Sequence, residues 1–266
     1  MISFTSVQWE AWLGAFFWPF FRILGLVMAA PFFGARGIPT GTKIGFALVV
    51  TILVAPLLGP MPAIQPASAQ GLLIIVHQLM IGVAMGLAMR VVFTAIEMAG
   101  HIMGLQMGLG FATFFDPQNS AQIPVMGQFM GLVGMLLFLA INGHLMVVSA
   151  LMESFESFPI GMQPIASEGW KTLALWGSEI FRGGVLLSLP VLAVLMMTNI
   201  ALAVLTRAAP QLNIFAVGFP LTLAIGFVVI ALSMRYVIPV FGGMIETAVQ
   251  TMMEIAAGAA VPAFSP

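Results

Sequence analysis

Arg90, Glu97 and His101 are the side chains whose types and spacing could do chemistry here, because each sits inside otherwise apolar sequence. On a helix running from Gly82 to about Gly108, Glu97 lies two turns beyond Arg90 and His101 one turn beyond Glu97, near enough for a hydrogen-bonded ladder. At about 100° per residue, Gly82, Gly86, Arg90, Thr94, Glu97, His101, Gly104 and Gly108 share roughly a third of the circumference. Two readings of this small and polar face stand side by side. It is a packing surface with internally neutralised polar groups, since small residues four apart let helix backbones approach closely. Alternatively it borders an aqueous path, since charge within apolar segments is normally directed inward. Catalytic signatures are missing. His77, His101 and His144 lack HExxH spacing, and neither a GxxxxGK[ST] phosphate loop nor a GxSxG elbow occurs. Gly108-Leu109-Gly110 begins a dinucleotide fingerprint without its last glycine, and no strand precedes it. With no cysteine there is no thiol nucleophile, thiolate zinc site or iron–sulfur cluster. The sequence reads as a non-enzyme that needs no cofactor and no metal.

The elements that must position these residues follow from composition. Of 266 residues, 61% are hydrophobic and 6% charged, far from the roughly 45–50% and 25% of globular chains. That excess belongs in a membrane or a large apolar assembly. Eight Lys and Arg against nine Asp and Glu give a net charge of -1, so no basic surface exists for nucleic acid. The apolar runs are Ala11 to Phe33, Ile44 to Leu58, Leu72 to Ile96, Val125 to Met152, Leu173 to Thr206 and Leu212 to Ile238, with an amphipathic tail from Gly243 to Ala257. The fold class expected is all-α: an integral-membrane-type protein with about six long, partly broken helices and an irregular central loop. Pro19, Pro31, Pro190, Pro220 and Pro239 suggest the breaks, which are tolerated at depth only where protein or water satisfies the freed backbone groups. Ile44 to Leu58, at 15 residues, would reach only about 22 Å as a helix, short of a hydrocarbon core about 30 Å thick. Pro210 ends the fifth run at Ala209, because proline disfavours helix in the residue before it.

Gly100 to Pro124 interrupts this pattern. The helix is expected to fail after Gly108, with Gly110 permissive and Asp116-Pro117 favouring a turn. Leu109 to Ser120 is then a non-helical aromatic loop carrying Phe111, Phe114 and Phe115. Its rings either form a hydrophobic core under the loop or close a conduit, since apolar constrictions gate by excluding water. Met98, Met103, Met107, Met126 and Met130 bracket the break; they suit a deformable seal and equally an ordinary core. Elsewhere, Glu179 and Arg182 at i,i+3 neutralise one another. Arg22, deep in the first run without a local acid, needs a partner from another segment or subunit, or a water-filled cavity. Asn142, His144 and Asn199 suit hydrogen bonds between helices.

The stretches GLGFATFFDPQNS (Gly108 to Ser120), APFFGARGIPTGTKIGFAL (Ala30 to Leu48) and, above all, NIALAVLTRAAPQLNIFAVGFPLTL (Asn199 to Leu223) resemble the FliR/SctT family of type III secretion export-gate subunits, and the DPQNS form resembles its flagellar branch. The resemblance covers nearly the whole chain. It implies one FliR-type helical domain over 1–258 with a short tail at 259–266, packed into a closed, helically staggered hetero-oligomeric gate. The implied partners are FliP and FliQ, with this subunit in single copy, FlhB around the cytoplasmic side, membrane lipid, and unfolded flagellar subunits as cargo. The implied place is the flagellar basal body in the bacterial inner membrane. By the same resemblance Leu109, Gly110, Phe111, Phe114, Phe115, Asp116 and Pro117 belong to a loop that plugs the closed pore beside a methionine gasket from FliP. Arg22, Arg207, Pro210, Gln211 and Asn213 are candidates for subunit interfaces. A secondary transporter with a polar site at the midplane, or a purely structural nucleator of assembly, are the competing functions.

Overall fold

A computed structural model describes residues 6–33, 37–59, 61–62, 64–111, 124–161, 164–209, 211 and 214–257. Among them the chain is all helix and turn, without a strand. The helices are α1 (Ser6–Ala29), α2 (Thr40–Val54), α3 (Ala69–Gln106), α4 (Val125–Ala140), α5 (Gly143–Ser157), α6 (Ser167–Trp176), α7 (Glu179–Ala208) and α8 (Ile214–Ala257). Single 3₁₀ turns follow α2 (Ala55–Leu57) and α3 (Leu109–Phe111). Four helical stretches are long and apolar enough to cross a membrane, and the α4–α5 pair makes a fifth if counted as one bent span.

The chain divides into two compact units. One comprises residues 1–91, 142–177 and 246–266. Its centre is the crossing of α1 with the first half of α3, where side chains would keep the backbones apart. A Cβ built on Gly25 would lie 2.9 Å from the Val83 nitrogen, and one on Gly86 would lie 2.6 Å from the Ala29 Cβ. At Gly82 the same position is already occupied by the Arg22 carbonyl. Around this contact Trp18, Ile23, Leu26, Ile81 and Met85 are 2% exposed or less. The indole Nε1 of Trp176 on α6 donates to the Ala88 carbonyl at 2.8 Å, fixing α6 to the same helix. The Phe33 ring stacks on Phe46 of α2 with centroids 4.9 Å apart.

The second unit comprises residues 92–141 and 178–245. Its core is an aromatic cluster in which Phe93 of α3 meets Phe138 of α4 edge-on at 5.4 Å and Phe241 of α8 at 5.9 Å. Such edge-to-face pairs add roughly 0.5–1.5 kcal/mol each beyond the area they bury. Gly183 and Gly184 let α7 close on α3: a Cβ on Gly184 would stand 3.1 Å from the Met98 Cγ, and one on Gly183 would stand 3.2 Å from the Ala95 Cβ.

Several expectations change here. Helices run unbroken through Pro19, Pro190, Pro220 and Pro239. Apolar sequence continues on both sides of each, so losing one backbone hydrogen bond costs less than unravelling a turn in apolar surroundings. For the same reason the sixth run and the tail merge into the 44-residue α8. The short second run gains Thr40–Lys43 in front and ends in the 3₁₀ turn at Leu57, giving an 18-residue span of about 27 Å. The break that does exist lies inside the run from Val125 to Met152, at Ile141 and Asn142 between α4 and α5. Asn142 is exposed and takes the left-handed conformation at φ 57° that turns the chain, as asparagine does more readily than most residues. The run from Leu173 to Thr206 is likewise divided, at Gly177 and Ser178.

Gly82→Val tests the α1–α3 contact. Overpacking against backbone that cannot yield should cost about 3 kcal/mol or more, read as a fall in thermal stability of the detergent-purified protein. Unchanged stability would contradict the close approach.

Candidate functional site

The small and polar face of α3 divides into buried ends and an exposed middle. Gly82 and Gly86 are buried against α1, while Arg90, Glu97 and His101 are exposed and Thr94 is half-buried. Arg90, Thr94 and Glu97 each have an interaction partner. The Glu97 stem lies along α4, since a Cβ on Gly131 would be 3.1 Å from its Cγ and 3.2 Å from its Oε1. At its C-terminal end the face packs again. A Cβ on Gly100 would lie 2.9 Å from the Gly127 Cα, and one on Gly104 would lie 3.1 Å from the Met126 Cβ. The glycines therefore have the close neighbour that packing requires.

The end of α3 follows from Gly108. This residue takes φ 86°, a left-handed conformation that costs glycine little and stops an α-helix. The amide of Met107 donates to the Met103 carbonyl at 2.9 Å and that of Gly108 to Leu105 at 3.0 Å, closing the last turn. The chain-stopping glycine is thus Gly108, not Gly110. Leu109, Gly110 and Phe111 form a 3₁₀ turn instead of irregular backbone. The remaining plug candidates, Phe114, Phe115, Asp116 and Pro117, lie outside the described residues, as does the Phe111 side chain. What is described are the two roots of the segment between them: α3 ends at Gln106, α4 begins at Val125, and the two helices are packed together through Gly100, Gly104, Met126 and Gly127. The described ends on either side of residues 112–123 are thus held against one another.

The methionines flanking it resolve into core. Met103, Met107 and Met130 are 0% exposed and Met126 is 4% exposed, inside the second unit, where flexible thioethers fill irregular space between helices.

Arg22 lies inside the chain instead of at a subunit interface. It is 0% exposed, and its partners come from distant sequence. Nε donates to the Gln78 Oε1 at 2.8 Å, and Nη1 donates to the Ser154 carbonyl at 2.7 Å and to the Ser154 Oγ at 3.2 Å. Nη2 donates to the Phe158 carbonyl at 2.9 Å. The guanidinium carbon is 4.4 Å from the centroid of the Phe155 ring. Ser154 lies in the last turn of α5 and Phe158 caps it, where the helix dipole is negative; the Ser154 carbonyl also accepts from the Phe158 amide at 3.1 Å. Among the described residues the buried cation faces a helix terminus and a ring face, with no carboxylate. The sequence carried no signal for Gln78, Ser154 or Phe158, because a helix terminus acts as a counter-charge only once its place is known.

Of the other interface candidates, Arg207 is exposed in the last turn of α7 and Gln211 is exposed in the turn after it; Pro210 and Asn213 lie outside the described residues. The expected end of the fifth run holds, with Ala209 capping α7. Glu179 and Arg182 pair at 3.2 Å as their spacing implies. His144 is half-buried and Asn199 exposed.

A family model described as bacterial export proteins, family 1, matches residues 13–248. Over 239 residues the chain is 42% identical to the flagellar biosynthetic protein FliR of Escherichia coli (strain K12), covering 90% of this chain and 91% of that protein. It is 43% identical over 239 residues, with the same coverage, to the protein of that name from Pectobacterium carotovorum subsp. carotovorum. To the one from Buchnera aphidicola subsp. Acyrthosiphon pisum (strain APS) it is 33% identical over 240 residues, again covering 90% and 91%.

Replacing Arg22 by Met keeps the length of the side chain and removes the donors to the Gln78 Oε1 and the Phe158 carbonyl. The expected cost is about 3 kcal/mol, that of breaking a buried charged network by removing one partner. It would be measured by thermal unfolding in detergent. Arg22→Lys should recover only part of it, since a point charge cannot reach all the acceptors of a planar fork; full recovery would contradict the geometry.

Proposed function

The chain belongs to family 1 of the bacterial export proteins, and from that membership we propose that it is a core subunit of the flagellar type III export gate. Its relatives carry the name of flagellar biosynthetic proteins, and it is a component of the flagellar export apparatus with a transport role, not a catalytic one. In this reading it joins FliP and FliQ, as a single copy contacted by FlhB, in a pore for unfolded flagellar subunits at the basal body in the inner membrane.

The observation that carries the reading is the packing of the end of α3 on the start of α4 through Gly100, Gly104, Met126 and Gly127. These are the two helices that flank the phenylalanine-rich stretch in the sequence. Phe111, Phe114 and Phe115 then plug the closed pore, and Leu109, Gly110, Asp116 and Pro117 set the shape of the plug. Apolar rings suit this task because a narrow apolar passage excludes water and ions without needing a charged gate. The surface supports an assembled state. Leu132, Leu136, Met197, Ile200 and Leu232 are all more than 60% exposed in the isolated chain, and apolar surface of that extent marks contact with lipid or partner helices. A transporter with a midplane site is less well supported, because the buried Arg22 is fully occupied by groups of its own chain.

Deleting Phe111 to Phe115 should leave the gate assembled and increase ion or small-dye leakage through it in reconstituted vesicles. Unchanged leakage from an assembled gate would end the plug assignment.

A further inference from the structure

Thr222 and Gly226 of α8 sit one helical turn apart on the last turn of α3. Thr222 is 7% exposed; its hydroxyl, with one proton shared between two acceptors, lies 3.3 Å from the Met107 carbonyl and 3.0 Å from the Phe219 carbonyl of its own helix. Carbonyls in the last turn of a helix have no amide ahead of them to accept from. A hydroxyl brought in by a neighbouring helix supplies what the chain itself cannot. One turn on, the space that a Cβ on Gly226 would need is filled by Met107: its Cγ, Cε and Sδ stand 2.6, 2.8 and 2.9 Å from that position. Met107 is 0% exposed, and the next residue is Gly108, whose φ of 86° ends the helix.

We propose that Thr222 and Gly226 form a socket for Met107 that fixes the end of α3 and so sets the position from which the central loop departs. Both are positioning residues acting through Met107. Their place in the sequence gives the run from Asn199 to Leu223 a task within this chain: Thr222 closes that run, and its contact is with the root of the loop. The inference rests on the plug reading for its functional consequence, but the socket itself is a statement about the root.

The socket explains why two small residues stand where α8 could have carried larger apolar ones. A leucine at position 226 would expel the Met107 side chain. A valine at position 222 would keep the shape and remove only the hydroxyl. A role in bulk packing alone predicts that Thr222→Val is neutral, because the two side chains are nearly isosteric. The socket predicts that it is not.

The chain has no cysteine, so a single Leu109→Cys carries a nitroxide at the root without background labelling. In the assembled complex, Thr222→Val and Gly226→Leu should each raise the mobile fraction of the label, Thr222→Val roughly tenfold from a small base, as the loss of one buried hydrogen bond shifts a two-state equilibrium. Thr222→Ser should preserve the immobile spectrum. Closed-state leakage should rise with the mobile fraction. An unchanged spectrum in Thr222→Val overturns the socket, and if Gly226→Leu fails to assemble, Thr222→Val alone decides. Leakage on deleting Phe111 to Phe115, with no spectral change in Thr222→Val, would sink the socket and leave the plug. A mobile label with no leakage from either the socket variants or the deletion would keep the socket and sink the plug.

Discussion

The contact on which the first unit depends is backbone against backbone, where α1 crosses α3 at Gly25, Gly82 and Gly86. Apolar burial alone gives little preference between helices already surrounded by lipid or other helices, so close packing and satisfied polar groups must decide their arrangement. Removing three Cβ atoms supplies the first. Arg22 supplies the second: its carbonyl lies over Gly82, and its guanidinium reaches the end of α5 and the amide of Gln78. The same residue thus makes the close approach and binds a third helix to it. An arginine at that depth is tolerable because α5 ends there, offering carbonyls and the negative end of a dipole.

The second unit repeats the logic with different residues. Gly100 meets α4 at Gly127, Gly183 and Gly184 admit α7, and the rings of Phe93, Phe138 and Phe241 lock the centre. Its consequence is functional. Helices held this closely fix where the connecting segment starts and stops, which is the constraint the proposed plug relies on. A plug needs that constraint, since a free loop would close a passage only part of the time.

The helical class, the end of α7 at Ala209, the pairing of Glu179 with Arg182 and the packing role of the α3 glycines were all readable in the sequence, because each follows from local spacing. Proline misled, since its effect on a helix depends on whether the surroundings make unravelling costlier than one lost hydrogen bond. Asn142 has a role that its type in apolar sequence did not announce: its tolerance of positive φ turns the chain between α4 and α5. The methionines near Gly108 are core because other helices cover them, α8 at Met107 and the α3–α4 contact at Met126 and Met130, which spacing along α3 could not show. The aromatic cluster gave no warning either, as Phe93, Phe138 and Phe241 come from three separate runs and meet only in the folded chain.

The central claim is that this chain functions as one subunit of a hetero-oligomeric gate, and its exposed apolar faces are the feature most in need of that explanation. The most direct measurement is the native mass of the complex extracted in mild detergent, together with the identity of the chains that co-purify. The account predicts a large assembly containing FliP and FliQ with a single copy of this chain. A stable lone monomer, with no co-purifying export component, would contradict it.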